Sequence, residues 1–398
     1  MMFLKLVWSN MWSKKLSTWL ALSLFSLGIG LILLMVQLDR QVEGAFKRNI
    51  KGIDLVLGAK GSPLQLILSS VYHSDYPTGN IAVKDVSKFS KYPSLKTAIP
   101  LSYGDSYRGY RVVGTTKDYL SHYSATLIEG RSWNKSLEVV VGSVVANELG
   151  LKIGDTFASQ HGLQEGNGHA HDDVVFEVVG ILKSSGTILD RLLLCDIASI
   201  WIVHDPGKRF NKDWTQYSAQ NITSLLLSFK NRLKAMMLVR RINESSSLQA
   251  ALPSFELDRL MTLIGSAYSV LNLLAVVILV ISSFSIFIAL WNKLEERRKD
   301  IALFRVMGAG KGFVVRMVIA EGIMIASISY FVGFGLARLL LWIINQQNKQ
   351  SIYQFELGEV VSLEIYILIL SIWIGILSAI FPAWRVSRIS IAKVLKNE

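Results

Sequence analysis

Four stretches of this chain are too long and too apolar for an ordinary domain core. A helix crossing a hydrocarbon layer of about 30 Å needs about 20 apolar residues. Leu16 to Leu38, Leu260 to Asn292 and Ile365 to Trp384 meet that length with no Asp, Glu, Lys or Arg, and Met317 to Ile344 meets it with two interruptions, Glu321 and Arg338. The predicted fold class is an α-helical integral membrane protein with four transmembrane helices and a large α+β extracytoplasmic domain between the first and second spans. Composition agrees: 18% of the 398 residues are charged, against about a quarter in an average globular domain. The first stretch is longer than a signal peptide's apolar region and lacks a small-x-small cleavage site, so it is expected to stay as an anchor. The second, as a helix of 33 residues, would reach about 50 Å, so its start is expected to project as a stalk.

Charge supplies an orientation. Lys and Arg outnumber acids three to none in residues 1–15, seven to three in 293–316 and four to one in 385–398, whereas 345–364 holds one Lys and three Glu. By the positive-inside rule the first three are cytoplasmic. The expected order is a cytoplasmic amphipathic N-terminus (1–15), a span (16–38), an outer domain (39–260), a stalked span (261–292), a cytoplasmic loop (293–316), a span (317–344), a short external loop (345–364), a span (365–384) and a cytoplasmic tail (385–398). The cytoplasmic pieces carry 14 basic residues and 4 acids, the outer domain 26 and 22. The formal charge of +12 is therefore a topology signal and a docking surface, not a signature of nucleic-acid binding.

Small residues recur at helical spacing in the spans: Ser26 and Gly30, Gly333 and Ala337, and Ser371, Gly375 and Ala379. Such stripes let helix backbones approach in lipid. The first two pairs read equally well as ordinary composition, while the third is predicted to be a helix interface.

In residues 39–260, strand-like runs such as 138–150, 174–182, 191–203 and 222–229 alternate with turn residues and with helix-like pieces at 144–149 and 234–243, an α+β pattern. Cys195 reads as a small buried hydrophobe. The glycine-rich stretch 58–80 reads as turn chemistry more than as a contact surface. All six histidines lie in this domain, three of them in HGLQEGNGHAHDD (161–173). Two readings stay open for that segment: His161, His169, His171 and Asp172 hold zinc or another borderline metal, or the segment is an exposed polar loop. No HExxH spacing is present.

The 293–316 loop, KLEERRKDIALFRVMGAGKGFVVR, clusters charges at 295–300, adds Ile301, Leu303, Phe304 and Val306, and is broken at Gly308 to Gly312. It suits an amphipathic helix on a membrane face or in a partner's groove. It is not a phosphate loop, because Arg305 and Gly312 stand where that pattern needs Gly and Ser or Thr.

EERRKDIALFRVMGAGK resembles the ER-x-x-E-I-[GA]-x-x-[RK]-[AV]-[ML]-GA segment of the FtsX/MacB/LolC-type permeases of ABC transporters. AIFPAWRVSRISIAKVLKNE (379–398) is similar to their closing PA-x-R-A-[AS]-R-x-x-P-x-x-A-L pattern, and the opening KLVWSNMWSKKLSTWLALSLFSLGIGLIL resembles their first amphipathic segment and span. Asp300 and Ser390 depart from the usual Glu and Pro. The resemblance implies a bacterial inner-membrane permease, non-enzymatic itself, that is paired with a second permease copy as a homodimer or heterodimer and docked on two ABC ATPase subunits. ATP and Mg would be bound there, and this chain would bind no cofactor beyond the zinc reading above. It implies a coupling helix carrying Glu295, Glu296, Arg297, Arg298, Asp300, Ile301, Phe304, Arg305, Gly308 and Ala309, whose basic residues also suit anionic lipid. Glu321, a carboxylate inside the third span, is expected to serve packing or transmission rather than ion transport, and Arg338 is expected to snorkel to the headgroups.

The function this resemblance implies is mechanotransmission, ATP-driven motion of the outer domain acting on a lipoprotein, a peptide or a small molecule. Alternatives are FtsX-like regulation of a cell-wall enzyme, metal-linked transport through the histidine segment, and a membrane-anchored receptor. The last calls for a cytoplasmic signalling domain, and the longest cytoplasmic piece is about 24 residues. A hydrolase is not expected, as no nucleophile, base and orienter grouping is visible in the sequence.

Overall fold

The computed structural model describes residues 2–162, 170–205, 207–211, 213–347, 355–358 and 360–388. The chain divides into two compact units, Met1–Val42 with Leu263–Glu398, and Glu43–Thr262. It begins with helices α1 (Met2–Met11) and α2 (Lys15–Ile50). There follow β1 (Leu55–Ala59), α3 (Pro63–Ser70), β2 (Ile81–Ala82), α4 (Val83–Ser90), β3 (Leu95–Tyr107), β4 (Tyr110–Thr115), α5 (Lys117–His122) and β5 (Leu127–Gly130). Next come β6 (Glu138–Val141), α6 (Ser143–Leu149), β7 (Thr156–His161), β8 (Ala170–Leu182), β9 (Leu193–Asp196) and α7 (Ile197–His204). Then β10 (Asn221–Ile222), β11 (Ser224–Phe229), α8 (Arg232–Ser245) and β12 (Leu248–Ala251) lead into α9 (Pro253–Glu296), α10 (Arg298–Val306), α11 (Lys311–Gln347) and α12 (Ser362–Ser387).

Helices α2, α9, α11 and α12 are each long and apolar enough to cross a membrane. Their shared core includes Phe25, Ile29 and Leu33 of α2, Ile286 and Leu290 of α9, Ile325 of α11 and Ala379 of α12. Glycines set how closely they pack. A Cβ on Gly333 would lie 2.7 Å from the Ser26 carbonyl oxygen and one on Gly30 would lie 3.0 Å from that of Gly333, so the two short stripes of α2 and α11 face each other. A Cβ on Gly375 would meet the Gly322 carbonyl oxygen at 2.6 Å, and Ala379 lies against Gly322. Outside this core, α9 exposes Val270, Leu273, Val280, Ile281 and Phe284, and α12 exposes Tyr366, Leu370, Trp373 and Leu377. Apolar surface on that scale demands lipid or protein against it.

In the other unit a ten-stranded sheet runs β12-β1-β11-β3-β4-β9-β6-β8-β5, with β7 pairing both β3 and β8. Most pairs are antiparallel; β4 with β9 and β6 with β8 are parallel. The stretch 191–203, expected as one strand-like run, splits instead after Asp196, into β9 and α7. The Asp196 carboxylate accepts the Ala198 N–H at 3.0 Å and starts α7. Apolar residues on every side of α7 reflect burial rather than strand structure, since Trp201 enters the core around Leu55, Leu57 and Leu227 while Ile200 and Val203 enter that around Val139, Phe176 and Cys195. Turn chemistry at 58–80 resolves into a helix start: Ser62 caps α3 and Pro63 occupies its first turn.

Candidate coupling site

Helix α9 ends at Glu296, the backbone breaks at Arg297, and α10 runs nine residues before Gly308 turns the chain at φ +100°, a left-handed conformation that suits glycine, into α11. Asp300 lies in the first turn of α10 and Arg305 in its last, each at the end of the helix dipole that favours its charge. Ile301 and Ala302 are buried, Ile301 packing with Val314, Val386 and Leu294, so Ile301 seats the helix and is not presented outward. Leu303, Val306 and Met307 stand 56%, 59% and 67% exposed. Phe304 lies within α10, and Ala309 lies between the turn glycine Gly308 and Gly310.

The charged residues before α10 frame it. Glu295 pairs closely with Arg298 and stands 3.4 Å from an Arg385 guanidinium nitrogen, and Arg385 lies 4.1 Å over the Trp291 ring. Glu296 pairs with Lys14, and Arg297 donates to the Asn10 side-chain oxygen. Behind this frame Lys293 Nζ lies 2.7 Å from Glu321 Oε1, with the two side chains only 4% and 8% exposed, and it also donates to the Met11 carbonyl oxygen at 2.8 Å. One ammonium thus joins the end of α1, α9 and α11. A cavity of about 260 Å³ opens beside it, lined by Asn10, Arg297, Asp300 and Met317 among others.

In sequence Glu321 stands out as an acid inside an apolar run, whereas Lys293, ending one, looks like an ordinary flanking charge. Arg338 does not reach toward the headgroups as its place in the span leads one to expect. Instead Arg338 NH2 lies 3.0 Å from both oxygens of Glu364, which is buried in the first turn of α12. Gln37 donates to the same carboxylate at 2.7 Å and the Val361 N–H at 3.2 Å. Snorkelling yields here to a buried partner that needs the charge.

In the other unit, His161 ends β7 with Nδ1 2.9 Å from Asp105 Oδ1. His171 and Asp172 fall in β8, and His169 lies outside the described residues. The described residues group His161 with Asp105 and His204, which spacing along the chain does not link.

Comparison with known proteins bears on both units. Residues 18–242 match the family model of the MacB-like periplasmic core domain, and residues 272–391 match that of the FtsX-like permease C-terminal region. The lipoprotein-releasing system transmembrane protein LolE of Haemophilus influenzae is 22% identical over 348 residues, covering 80% of this chain and 78% of that protein. A crystal structure of the periplasmic region of MacB from Actinobacillus actinomycetemcomitans aligns at 12% identity with a TM-score of 0.35, over 53% of this chain and 95% of that one. With one family model spanning more than half of its length and a second matching its C-terminal helices, the chain belongs to the FtsX/MacB/LolC-type permeases of ABC transporters.

Proposed function

We propose that this chain converts ATP hydrolysis in a separate ABC ATPase subunit into motion of its MacB-like domain. In this reading it lies in the bacterial inner membrane with both termini and the 293–316 loop in the cytoplasm, and residues 39–260 in the periplasm. Two ATPase subunits serve two permease copies. The observation that carries it is the construction of α10: a helix seated by Ile301 and Ala302, held by ion pairs on its approach, and left with an apolar ridge of Leu303, Val306 and Met307. A short amphipathic helix with such a ridge fits a groove on a partner. Behind it, the Lys293–Glu321 pair links α9 to α11, so displacement of α10 acts on both helices. Both unit boundaries fall inside helices, α2 and α9, which gives that motion a continuous backbone toward the domain. The cargo class is a lipoprotein, peptide or small molecule at the periplasmic face. The name of the LolE relative, a lipoprotein-releasing system protein, favours the first.

The test is co-purification with the ATPase subunit. Leu303→Asp and Arg305→Glu are each expected to lower its recovery and its stimulation about tenfold or more while leaving the permease's thermal unfolding unchanged. Undiminished association and stimulation in both variants would refute the docking role of α10.

A further inference from the structure

The MacB-like domain carries a cluster that coupling leaves unused. Strands β3 and β7 pair antiparallel with Asp105 directly opposite His161, and the end of α7 brings His204 to the same place. The Asp105 side chain is fully buried. Ser159 Oγ lies 3.5 Å from its Oδ2, while Oδ1 accepts no hydrogen bond among the described residues although His161 Nδ1 lies 2.9 Å away. A buried carboxylate oxygen without a donor is costly unless a charge meets it.

The histidines are set to supply ligand nitrogens. His204 Nδ1 lies 2.8 Å from the Ile200 carbonyl oxygen. A carbonyl only accepts, so Nδ1 carries the hydrogen, and in the neutral ring Nε2 keeps the lone pair. That Nε2 is 3.9 Å from Asp105 Oδ1, beyond hydrogen-bond range. Two ligands of a tetrahedral ion, each bound at about 2.0 Å, sit about 3.3 Å apart, between the 2.9 and 3.9 Å found here. The three donor atoms all lie within 4.8 Å of one another. The Ile200 carbonyl orienting His204 and the Ser159 hydroxyl beside Asp105 are the outer partners that metal ligands ordinarily have. Both imidazoles are 45% exposed, so an ion could enter from solvent and keep an open position.

We propose that Asp105, His161 and His204 form a divalent-metal site with two imidazoles and one carboxylate, a donor set suited to zinc. The site goes beyond the coupling function and stands independently of it. Full-length permease, purified in detergent and freed of metal, is given zinc; retained metal is counted by mass spectrometry and affinity is measured against a chromophoric chelator. One zinc per chain is expected, raising the wild-type Tm. Asp105→Asn and His204→Ala are expected to weaken binding at least about tenfold and to abolish that rise. His204→Cys, which supplies another zinc ligand, should restore part of both and so separates ligation from misfolding. The proposal is overturned if the wild type retains no zinc. It is equally overturned if the Asp105 and His204 variants bind as tightly as the wild type, or if His169→Ala with His171→Ala abolishes binding while they retain it.

Discussion

Lys293 and Glu321 are two charges withdrawn from water into the helix packing, and each is tolerable only because the other is there. Removing one partner of such a pair costs about 3–5 kcal/mol, because the survivor is left buried and uncompensated, whereas replacing both by apolar groups of similar size is close to neutral. Glu321→Leu is therefore expected to destabilise the permease by about that much in detergent, and Lys293→Met combined with Glu321→Leu to recover most of it. The double variant also loses the link to the Met11 carbonyl, so it should remain folded while ATPase stimulation falls. Stimulation that returned together with stability would confine the pair to packing. Glu321 was legible because an acid inside an apolar run has few innocent explanations. Its partner was not: 28 residues separate the two, and only the α9-α10-α11 hairpin brings them together. Glu364 was hidden for a similar reason, since a carboxylate just before a span looks like loop charge until it is seen binding Arg338 and the start of α12.

Among the elements, helix packing was legible by half. A three-residue small stripe on α12 is visible in sequence, but its counterpart on α11 is Gly322 with Ala326, whose Cβ a Cβ on Gly375 would meet at 2.7 Å, and sequence alone does not distinguish that pair from ordinary span composition. Docking register decides it, because a Cβ on Gly322 would lie 2.5 Å from the Gly375 carbonyl oxygen, and a backbone atom cannot swing aside as a side chain can. Gly322→Leu is expected to cost more than the about 1–3 kcal/mol typical of overpacking, by forcing α11 and α12 apart. Gly335→Leu, on the same helix where an added Cβ meets nothing within 4 Å, should leave the detergent unfolding temperature nearly unchanged. Equal losses in the two variants would mean that close approach at Gly322 does not govern the site, since helix propensity by itself favours Leu over Gly at both positions. The split of 191–203 into β9 and α7 teaches the complementary lesson. A run that is apolar throughout does not reveal its period, and the Asp196 cap decides where extended backbone becomes helix.

At the scale of the molecule, the uneven spread of charge is the signal from which the orientation is inferred, and the chain carries a convenient means of testing it. Cys195 is its single cysteine and is fully buried on β9, with Sγ 3.7 Å from the Val113 carbonyl oxygen. Burial pushes its thiol pKa up, away from the reactive thiolate. The native chain should therefore be silent to a membrane-impermeant maleimide, and introduced cysteines can be read against it without first removing Cys195. Ser245 is exposed at the end of α8 in the MacB-like domain, and Met307 is exposed at the end of α10 in the other unit. In intact spheroplasts expressing the permease without its ATPase, Ser245→Cys should label and Met307→Cys should label only after the membrane is permeabilised. Labelling of Met307→Cys from outside, with Ser245→Cys protected, would invert the orientation. The basic residues of the 293–316 loop would then face the periplasm, out of reach of any ATPase, and α10 could not be the coupling element. Orientation and coupling thus stand or fall on the same pair of cysteines, because a docking helix has meaning only on the side of the membrane where ATP is hydrolysed.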